Sequence, residues 1–204
     1  MNKYLKQFIV LLLKRFLTRI YETRGTAAPI SIKGIILQKV FGFNRSAYWP
    51  VHHTSVISYP ENIRIGIGTA PGLSPGCYIQ GKGKIIIGDY TLVGPNVGLI
   101  SGNHDLHDIS SHVDGEINIG EYSWIGMGAI VLPNVTLGPH TIVGAGAVVT
   151  KSFEEGFCLI GGNPAKVIKV LDRSKILNVR NKYEYYGFYK KCEFEEFRRR
   201  NLNA

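Results

Sequence analysis

The chain has 204 residues, with 24 Lys and Arg against 15 Asp and Glu and a net charge of +9. This length suits one domain with appendages. The three cysteines, Cys77, Cys158 and Cys192, form no C-x-x-C pair, which argues against a disulfide-stapled secreted scaffold and favours the cytoplasm. The ends are basic, with six Lys/Arg against one acid in residues 1–24 and eleven against five in 166–204, but no nucleic-acid-binding motif accompanies them. Nucleic acid is therefore not an expected partner.

Residues 1–24 are predicted to form a basic amphipathic helix. Within residues 1–21 the apolar side chains follow helical spacing, at Leu5, Phe8, Ile9, Leu12, Leu13, Phe16, Leu17 and Ile20. The unbroken apolar run is far shorter than the roughly 20 residues that span a bilayer. The helix therefore either lies on an anionic membrane surface, or caps the domain or packs on a partner subunit. Residues 25–50 are expected to be a linker or lead-in.

A repeat with a period of six residues dominates residues 51–169. Aliphatic residues recur at Ile67, Leu73 and Ile79, at Ile87, Val93 and Leu99, and at Ile119, Ile125, Val131, Leu137, Val143 and Val149, and glycine follows many of them. So many glycines do not suit an amphipathic helix. A β-sandwich, the alternative, would have irregular turn spacing and strands of period two. The pattern predicts stacked triangular turns that bury the aliphatic residues as a ladder.

Twenty residues separate Leu99 from Ile119, two more than three repeats, so a loop excursion is predicted over 101–117. It carries His104, His107 and His112, and a loop on a rigid scaffold is a common place for function. An imidazole with a pKa near 6.5 can accept and return a proton at neutral pH. A metal site would need a third histidine one or more coils upstream, facing the same groove, and the repeats before His104 supply none. No metal is expected.

Residues 170–204 are predicted to be largely helical, with an interruption near Gly187. They carry an aromatic face at Tyr183, Tyr185, Tyr186, Phe188, Tyr189, Phe194 and Phe197. Because the end of a solenoid exposes unpaired backbone, we expect these rings to cover the repeat body or a neighbouring subunit. A sugar-binding aromatic platform is the alternative.

Several motifs resemble the hexapeptide-repeat acyltransferases. They are Pro95-Asn96-Val97 followed by His104, the stretches 119–126 and 143–151, and Asn163-Pro164-Ala165-Lys166 after the last coil. The resemblance covers about residues 60–170 and includes the galactoside, maltose and nodulation-factor O-acetyltransferases and their capsule and lipopolysaccharide relatives. It implies an all-β fold, a left-handed parallel β-helix, with the N-terminal helix and the C-terminal helical tail attached to it.

The resemblance also implies roles for single residues. His104 stands at the position of the catalytic base. The residues that match coenzyme contacts are Trp124, Met127, Ala145, Thr150, Lys151, Lys166 and Lys169, with Trp124 at the acyl end and the lysines on the phosphates. Asn103 and Ser74 are the expected substrate-binding residues, and His107 and His112 are expected to be structural or to rim the substrate. Ser74-Pro75-Gly76 departs from the asparagine of the galactoside-type enzymes, so the acceptor is not implied.

The function that follows is an acetyl-CoA-dependent O-acetyltransferase that acts on a sugar hydroxyl in surface polysaccharide biosynthesis. Family resemblance implies a homotrimer with each site between two subunits, acetyl-CoA as co-substrate and no metal. Acceptors in that group can be attached to lipid, which would give residues 1–21 a role at the inner face of the membrane. The alternatives are N-acetylation of an amino sugar and a non-enzymatic β-helix scaffold.

Overall fold

The computed structural model describes residues 3–204, apart from the side chains of residues 3–6 and 8–13. Its helices are α1 (Lys3–Thr23), α2 (Ile32–Ile35), which continues into a π-helical turn (Ile36–Val40), and α3 (Lys191–Asn201). None of the described helices is both long enough and apolar enough to cross a membrane. The predicted helix of residues 1–24 is present, but the part of its apolar stripe before Phe16 lies outside the described side chains.

Two 3-10 helices (Pro60–Asn62 and Arg173–Lys175) and eighteen short strands make up the rest of the regular structure. In chain order they are β1 (Val56–Ser58), β2 (Ile63–Arg64), β3 (Tyr78–Gln80), β4 (Lys84–Ile87), β5 (Leu92–Val93), β6 (Gly98–Ile100), β7 (Gly102–His104), β8 (His112–Asp114), β9 (Glu116–Ile119), β10 (Trp124–Ile125), β11 (Ile130–Val131), β12 (Val135–Leu137), β13 (Thr141–Val143), β14 (Val148–Val149), β15 (Cys158–Gly161), β16 (Lys166–Val170), β17 (Tyr185–Tyr186) and β18 (Tyr189–Lys190).

Fourteen of these strands form the three sides of a prism. Sheet A is β1-β3-β6-β11-β14, sheet B is β12-β9-β4-β2, and sheet C is β16-β15-β13-β10-β5. Neighbouring strands are parallel except for β15 and β16. The chain passes from A to B, from B to C and back to A, so each of the three central coils contributes one strand to each sheet, as the period of six predicts.

The predicted ladder fills the inside of this prism. The buried positions include Ile67, Ile79, Ile87, Leu99, Ile119, Ile125, Val131, Leu137, Val143 and Val149. Leu73 and Val93 are only half-buried. Burying a side chain of this size contributes roughly 1.5–3 kcal/mol. The ladder therefore holds the coils in register and gives the edges of the prism a rigid support.

Two edges of the prism matter for the site. The A–B edge, where the chain leaves sheet A for sheet B, consists of residues 59–62, 81–83, 101–115, 132–134 and 150–152. The C–A edge, where it leaves sheet C for sheet A, consists of residues 74–77, 94–97, 126–129 and 144–147. Residues on one edge are stacked over one another about 4.8 Å per coil.

The predicted excursion lies on the A–B edge. Val131 pairs in register with Val149, 18 residues later, but Leu99 pairs with Val131, 32 residues later. The extra residues form a β-hairpin of β7 and β8, which are paired only with each other. The hairpin leaves the prism without disturbing the pairing of β6 with β11.

The lead-in of residues 25–50 is more than a linker, because it packs over the open end of the prism. Trp49 is completely buried, and its indole Nε1 donates to the Pro71 carbonyl at 2.7 Å. The buried Gln38 amide donates to the carbonyl of Trp49 at 2.9 Å, and its oxygen accepts from the Val51 N–H at 3.1 Å. These bonds satisfy backbone groups that the end of a solenoid would otherwise leave unpaired.

The C-terminal segment differs from the largely helical tail that its sequence predicts. Only Lys191–Asn201 is α-helical, and it follows a hairpin of β17 and β18 that turns at Gly187. Gly187 has a φ of +57°, and a Cβ there would lie 2.6 Å from that of Trp49. The aromatic rings do cover the prism, since Phe194 is buried and Tyr186 stacks on it at 4.1 Å between ring centroids.

Candidate active site

The hairpin is anchored firmly where it leaves the A–B edge. The Gly115 N–H donates to the Ser101 carbonyl at 2.7 Å, which closes the base of the hairpin. The Ser101 hydroxyl donates to the Gln80 carbonyl at 2.6 Å, and the Gln80 side-chain oxygen accepts from the Gly102 N–H at 3.0 Å. Residues on both sides of the hairpin are therefore tied to the coil before it.

Short polar contacts shape the tip of the hairpin. Asp105 accepts from the backbone N–H of His107 at 2.7 Å, and Asp108 accepts from the hydroxyls of Ser110 and Ser111, both at 2.5 Å. Those hydroxyl bonds lower the pKa of Asp108 below its ordinary value. The tip therefore keeps its shape without an apolar core of its own.

His104 lies at the end of β7 and its side chain is exposed. Its Nδ1 lies 2.6 Å from the carbonyl oxygen of Ile109. A carbonyl can only accept, so this contact assigns the proton to Nδ1 and leaves the lone pair on Nε2. The hairpin thus orients the imidazole and selects the tautomer that a general base requires.

The other two hairpin histidines differ in their relation to His104. The ring of His112 lies 4.2 Å from that of His104 between centroids. Desolvation lowers the pKa of His112, and the charges of Lys82 and His104 lower it further. His112 therefore packs beside His104 and releases its proton more readily than a free imidazole does. The imidazole rings of His107 and His112 make no hydrogen bond to the described residues. Asn103, the residue before His104, has an exposed side chain.

Trp124 and Ser74 line one cleft of about 310 Å³ on the face of sheet C. Trp124 lies between Leu92 and Ile142 of the neighbouring coils, and half of its side chain is exposed. The Ser74 hydroxyl donates to the Val93 carbonyl at 2.8 Å. The two predicted residues therefore lie in one cleft. The Ser74 hydroxyl proton, however, is already engaged in a hydrogen bond between two coils.

Met127 and Ala145 are stacked on the C–A edge. The Gly146 N–H donates to the Met127 carbonyl at 2.9 Å, so the two residues occupy equivalent places in successive coils. Both side chains are exposed. A Cβ at Gly126 would lie 2.6 Å from the Val143 carbonyl, so glycine is required there for the coils to approach. This edge presents a narrow strip on which a slender ligand can lie.

The four remaining predicted coenzyme residues occupy two other places, and all four are exposed. Thr150 and Lys151 lie on the A–B edge, two coils beyond the hairpin. Lys166 and Lys169 lie on β16, where they are paired in register with Gly161 and Leu159. None of these three lysines forms an ion pair with an acidic residue of the described chain.

The predicted site residues of one copy are therefore divided between two edges of the prism. His104, Thr150 and Lys151 lie on the A–B edge, whereas Met127 and Ala145 lie on the C–A edge. A strand of sheet A, three residues or about 10 Å long, separates the two edges. One copy does not bring its own histidine and its own C–A strip together.

The sequence analysis missed the Ile109 carbonyl as the group that orients His104. No sequence signal could reveal it, because every residue carries a carbonyl and only the hairpin geometry brings this one within reach. Among residues whose side chains are described, no group of three His, Cys, Asp or Glu could hold a metal ion.

Known proteins share both the sequence pattern and the fold. Residues 116–151 match the family described as bacterial transferase hexapeptide (six repeats). Nodulation protein L of Rhizobium leguminosarum bv. viciae is 37% identical over 165 residues, which cover 78% of this chain and 82% of that protein. Galactoside O-acetyltransferase of Escherichia coli strain K12 is 33% identical over 138 residues, which cover 65% of this chain and 63% of that protein.

A solved structure supports the same relationship. A galactoside acetyltransferase in complex with coenzyme A matches 82% of this chain and 84% of its own, with 25% sequence identity and a TM-score of 0.60. The left-handed parallel β-helix, the enzyme class and the acyl donor predicted from the sequence are thereby confirmed. The chain belongs to the hexapeptide-repeat acetyltransferase family, whose members are acetyl-CoA-dependent acyltransferases.

Proposed function

We propose that this enzyme transfers the acetyl group of acetyl-CoA to a sugar hydroxyl, with His104 as the general base. The observation that carries this proposal is the contact between His104 Nδ1 and the Ile109 carbonyl at 2.6 Å. It leaves Nε2 free, exposed and basic on a rigidly anchored hairpin. Such an imidazole is suited to remove the proton of a hydroxyl at neutral pH.

The reaction needs one proton carrier and no covalent enzyme intermediate. Nε2 of His104 accepts the proton of the sugar hydroxyl while its oxygen attacks the thioester carbonyl. A C–O bond forms, the C–S bond breaks, and the proton passes from Nε2 to the departing sulfur of coenzyme A.

The coenzyme is proposed to follow the C–A edge. Met127 and Ala145 line the strip for the pantetheine arm, and Trp124 walls the acyl end. Lys166 and Lys169 on β16 are unpaired among the described residues and supply positive charge for the phosphates. Thr150 and Lys151 would approach from the A–B edge of a second copy.

The division of these residues between two edges supports a homotrimer with each site between two copies. The hairpin carries apolar side chains that nothing in the described chain covers: Leu106 is 94% and Ile109 is 80% exposed. Side chains of this kind mark a protein contact when they cluster. A neighbouring copy that packs on the hairpin would bury them and bring its C–A edge to His104.

A contact between residues 1–21 and an anionic membrane is also proposed. The helix is basic, and Leu17 and Tyr21 are exposed. Its last turns dock on the protein, since Arg19 pairs with Glu193 at 3.1 Å and Lys190 with Glu22 at 2.8 Å. We expect the full chain to sediment with phosphatidylserine vesicles at low salt and a chain starting at residue 22 not to do so. Neutral vesicles are the control, and a full chain that ignores both kinds contradicts the contact.

The proposed activity is tested by coenzyme A release with a panel of hexoses, oligosaccharides and amino sugars, followed by mass spectrometry. We expect a product with one added acetyl group that mild alkali removes, as an ester requires. An alkali-stable amide would identify N-acetylation instead. Failure to release coenzyme A with any acceptor, although acetyl-CoA binds, would contradict sugar acetylation.

A further inference from the structure

A cavity with mostly apolar walls lies away from the proposed acetyl-transfer residues. It measures about 460 Å³ and lies between α1, the first coil and the C-terminal hairpin. Its walls are mostly apolar and include Phe16, Ile30, Ile35, Phe188, Phe197 and Leu202. This volume lies within the range of cavities that bind small organic ligands. None of the residues assigned to the coenzyme or to the base lines it.

Two cations border this apolar space. Nε of Arg19 is buried and has no hydrogen-bond partner among the described residues. Lys39 Nζ donates to the carbonyls of Arg45 at 2.6 Å and Ala47 at 2.8 Å and lies 5.2 Å from the ring centroid of Phe188. Glu61 is the one acid among the described residues of the lining, and Arg19 also pairs with Glu193 at 3.1 Å. The cavity therefore combines an apolar interior with two cations and one buried N–H donor, Arg19 Nε, that has no partner among the described residues, which suits an anionic group on an apolar chain.

The cavity and the base of the hairpin lie on the same edge of the prism. Pro60 and Glu61, which line the cavity, belong to the A–B edge of the first coil. The next residue, Asn62, lines a groove together with Lys82, Lys84 and Asp114 at the base of the hairpin. The hairpin leaves the same edge two coils further on, or about 10 Å at 4.8 Å per coil. The cavity and His104 are therefore served by one continuous edge.

We propose that this cavity binds the lipid chain of a lipid-linked glycan acceptor, with the phosphate near Arg19 and the glycan extending along the A–B edge toward His104. This inference rests on the proposed function, because it names the class of acceptor. A single isoprenoid or acyl chain fits the shape and chemistry of the lining. Lys82 and Lys84 have no ion pair among the described residues and lie on the part of the edge that the glycan would follow.

The test is binding of farnesyl phosphate below its micelle concentration to the full-length chain, measured by calorimetry. Farnesol is the uncharged match. We expect farnesyl phosphate to bind and farnesol to bind more weakly, because farnesol cannot use the cations. Ser46 lies at the exposed rim of the cavity, so Ser46→Phe should abolish binding of both compounds without disturbing the core.

Arg19→Gln and Arg15→Gln form a matched pair. Both arginines bond to Glu193, but only Arg19 lines the cavity. We expect Arg19→Gln to weaken farnesyl phosphate by about tenfold or more and farnesol by no more than about twofold, since a charge-assisted hydrogen bond is lost. Arg15→Gln should leave both affinities within about twofold.

Several results would overturn the inference. They are no binding of farnesyl phosphate, equal losses in the two arginine variants, binding that Ser46→Phe does not change, or binding only to anionic vesicles. An assay of acetyl transfer to a soluble sugar shows whether only the lipid-binding proposal fails or whether the proposed function fails as well. Transfer without lipid binding rejects the cavity alone, whereas lipid binding without transfer to any hydroxyl rejects the acetylation of a sugar.

Discussion

The coils and the hairpin of residues 101–115 are held together in different ways. In the coils, side chains such as Leu99, Ile117 and Ile125 are completely buried, and each strand pairs with the coils on either side. The hairpin has two three-residue strands paired only with each other, and its tip is shaped by the carboxylates of Asp105 and Asp108. Its base, in contrast, is bonded directly to the coil before it.

The coils therefore provide the stability of the protein, and the hairpin provides residues for the reaction. Most of the free energy of unfolding comes from the apolar ladder, because burial of apolar surface is the dominant favourable contribution to folding. The hairpin contributes little to the ladder and can present polar side chains to substrates. Substitutions in the coils should therefore lower the free energy of unfolding, whereas substitutions in the hairpin should lower the rate of acetyl transfer.

The largest expected effect is that of His104→Ala on the rate. We expect kcat to fall by about 10²–10⁴-fold, since general-base assistance is lost. Coenzyme binding by calorimetry should stay within a few-fold, and the melting temperature should not change, because the side chain is exposed. His107→Ala is the control and should matter less. Near-wild-type turnover of His104→Ala, or the reverse ranking, would assign the base to another group.

The next largest effect is that of Leu99→Ala on stability. Leu99 is completely buried in the ladder, so truncation should lower the free energy of unfolding by about 2–5 kcal/mol. The matched control is Leu177→Ala in the exposed C-terminal segment, which should change it by less than about 0.5 kcal/mol. Thermal and denaturant unfolding measure both. Equal losses would mean that the buried ladder contributes no more to stability than an exposed leucine.

A smaller effect is expected from charge reversal on β16. Lys166→Glu together with Lys169→Glu should raise the KM for acetyl-CoA by about tenfold, because two exposed cations near phosphates are reversed. The KM for acetyl-pantetheine, which lacks those phosphates, should stay unchanged. Lys175→Glu is the control, since Lys175 pairs with Asp172 at 3.2 Å. Equal effects on the two donors would place the phosphates elsewhere.

The smallest effect concerns pH. Burial in a ring stack between Tyr122 and Phe157 lowers the pKa of His140 below 6.5, although Glu121 opposes this. The folded state therefore binds this proton less readily than the unfolded state. The associated stability is present above about pH 6.5 and is lost as the pH falls toward the folded pKa.

His140→Tyr places at this position the residue that Tyr122 supplies one coil earlier, where both have a φ of +54°. We expect this variant to lose less of its melting temperature than the wild type between about pH 7.5 and about pH 5.5. A wild-type pH dependence in His140→Tyr would show that other groups cause the loss.

The sequence analysis succeeded where the period of the pattern has one structural solution. It located the buried ladder, the excursion and the solvent-exposed histidine. A spacing of six residues between buried aliphatic side chains matches the length of one side of a three-sided coil, and no other regular structure has this period. It was wrong about much of the tail. The dense aromatic residues from Tyr183 to Tyr189 favour strands, and Gly187 supplies the positive φ of a hairpin turn, so a signal for β17 and β18 was present.

By itself, the sequence determined the fold, the family and the chemical type of the candidate base, because repeat spacing and motif residues encode these locally. Only the tertiary structure decided how those residues are grouped. The edge that a residue occupies depends on its position within the coil and on every insertion before it. Met127 and Lys151 therefore lie on different edges, although each follows a short strand by two residues. The tautomer of His104 depends on the carbonyl of Ile109, a backbone group whose position only the folded hairpin defines.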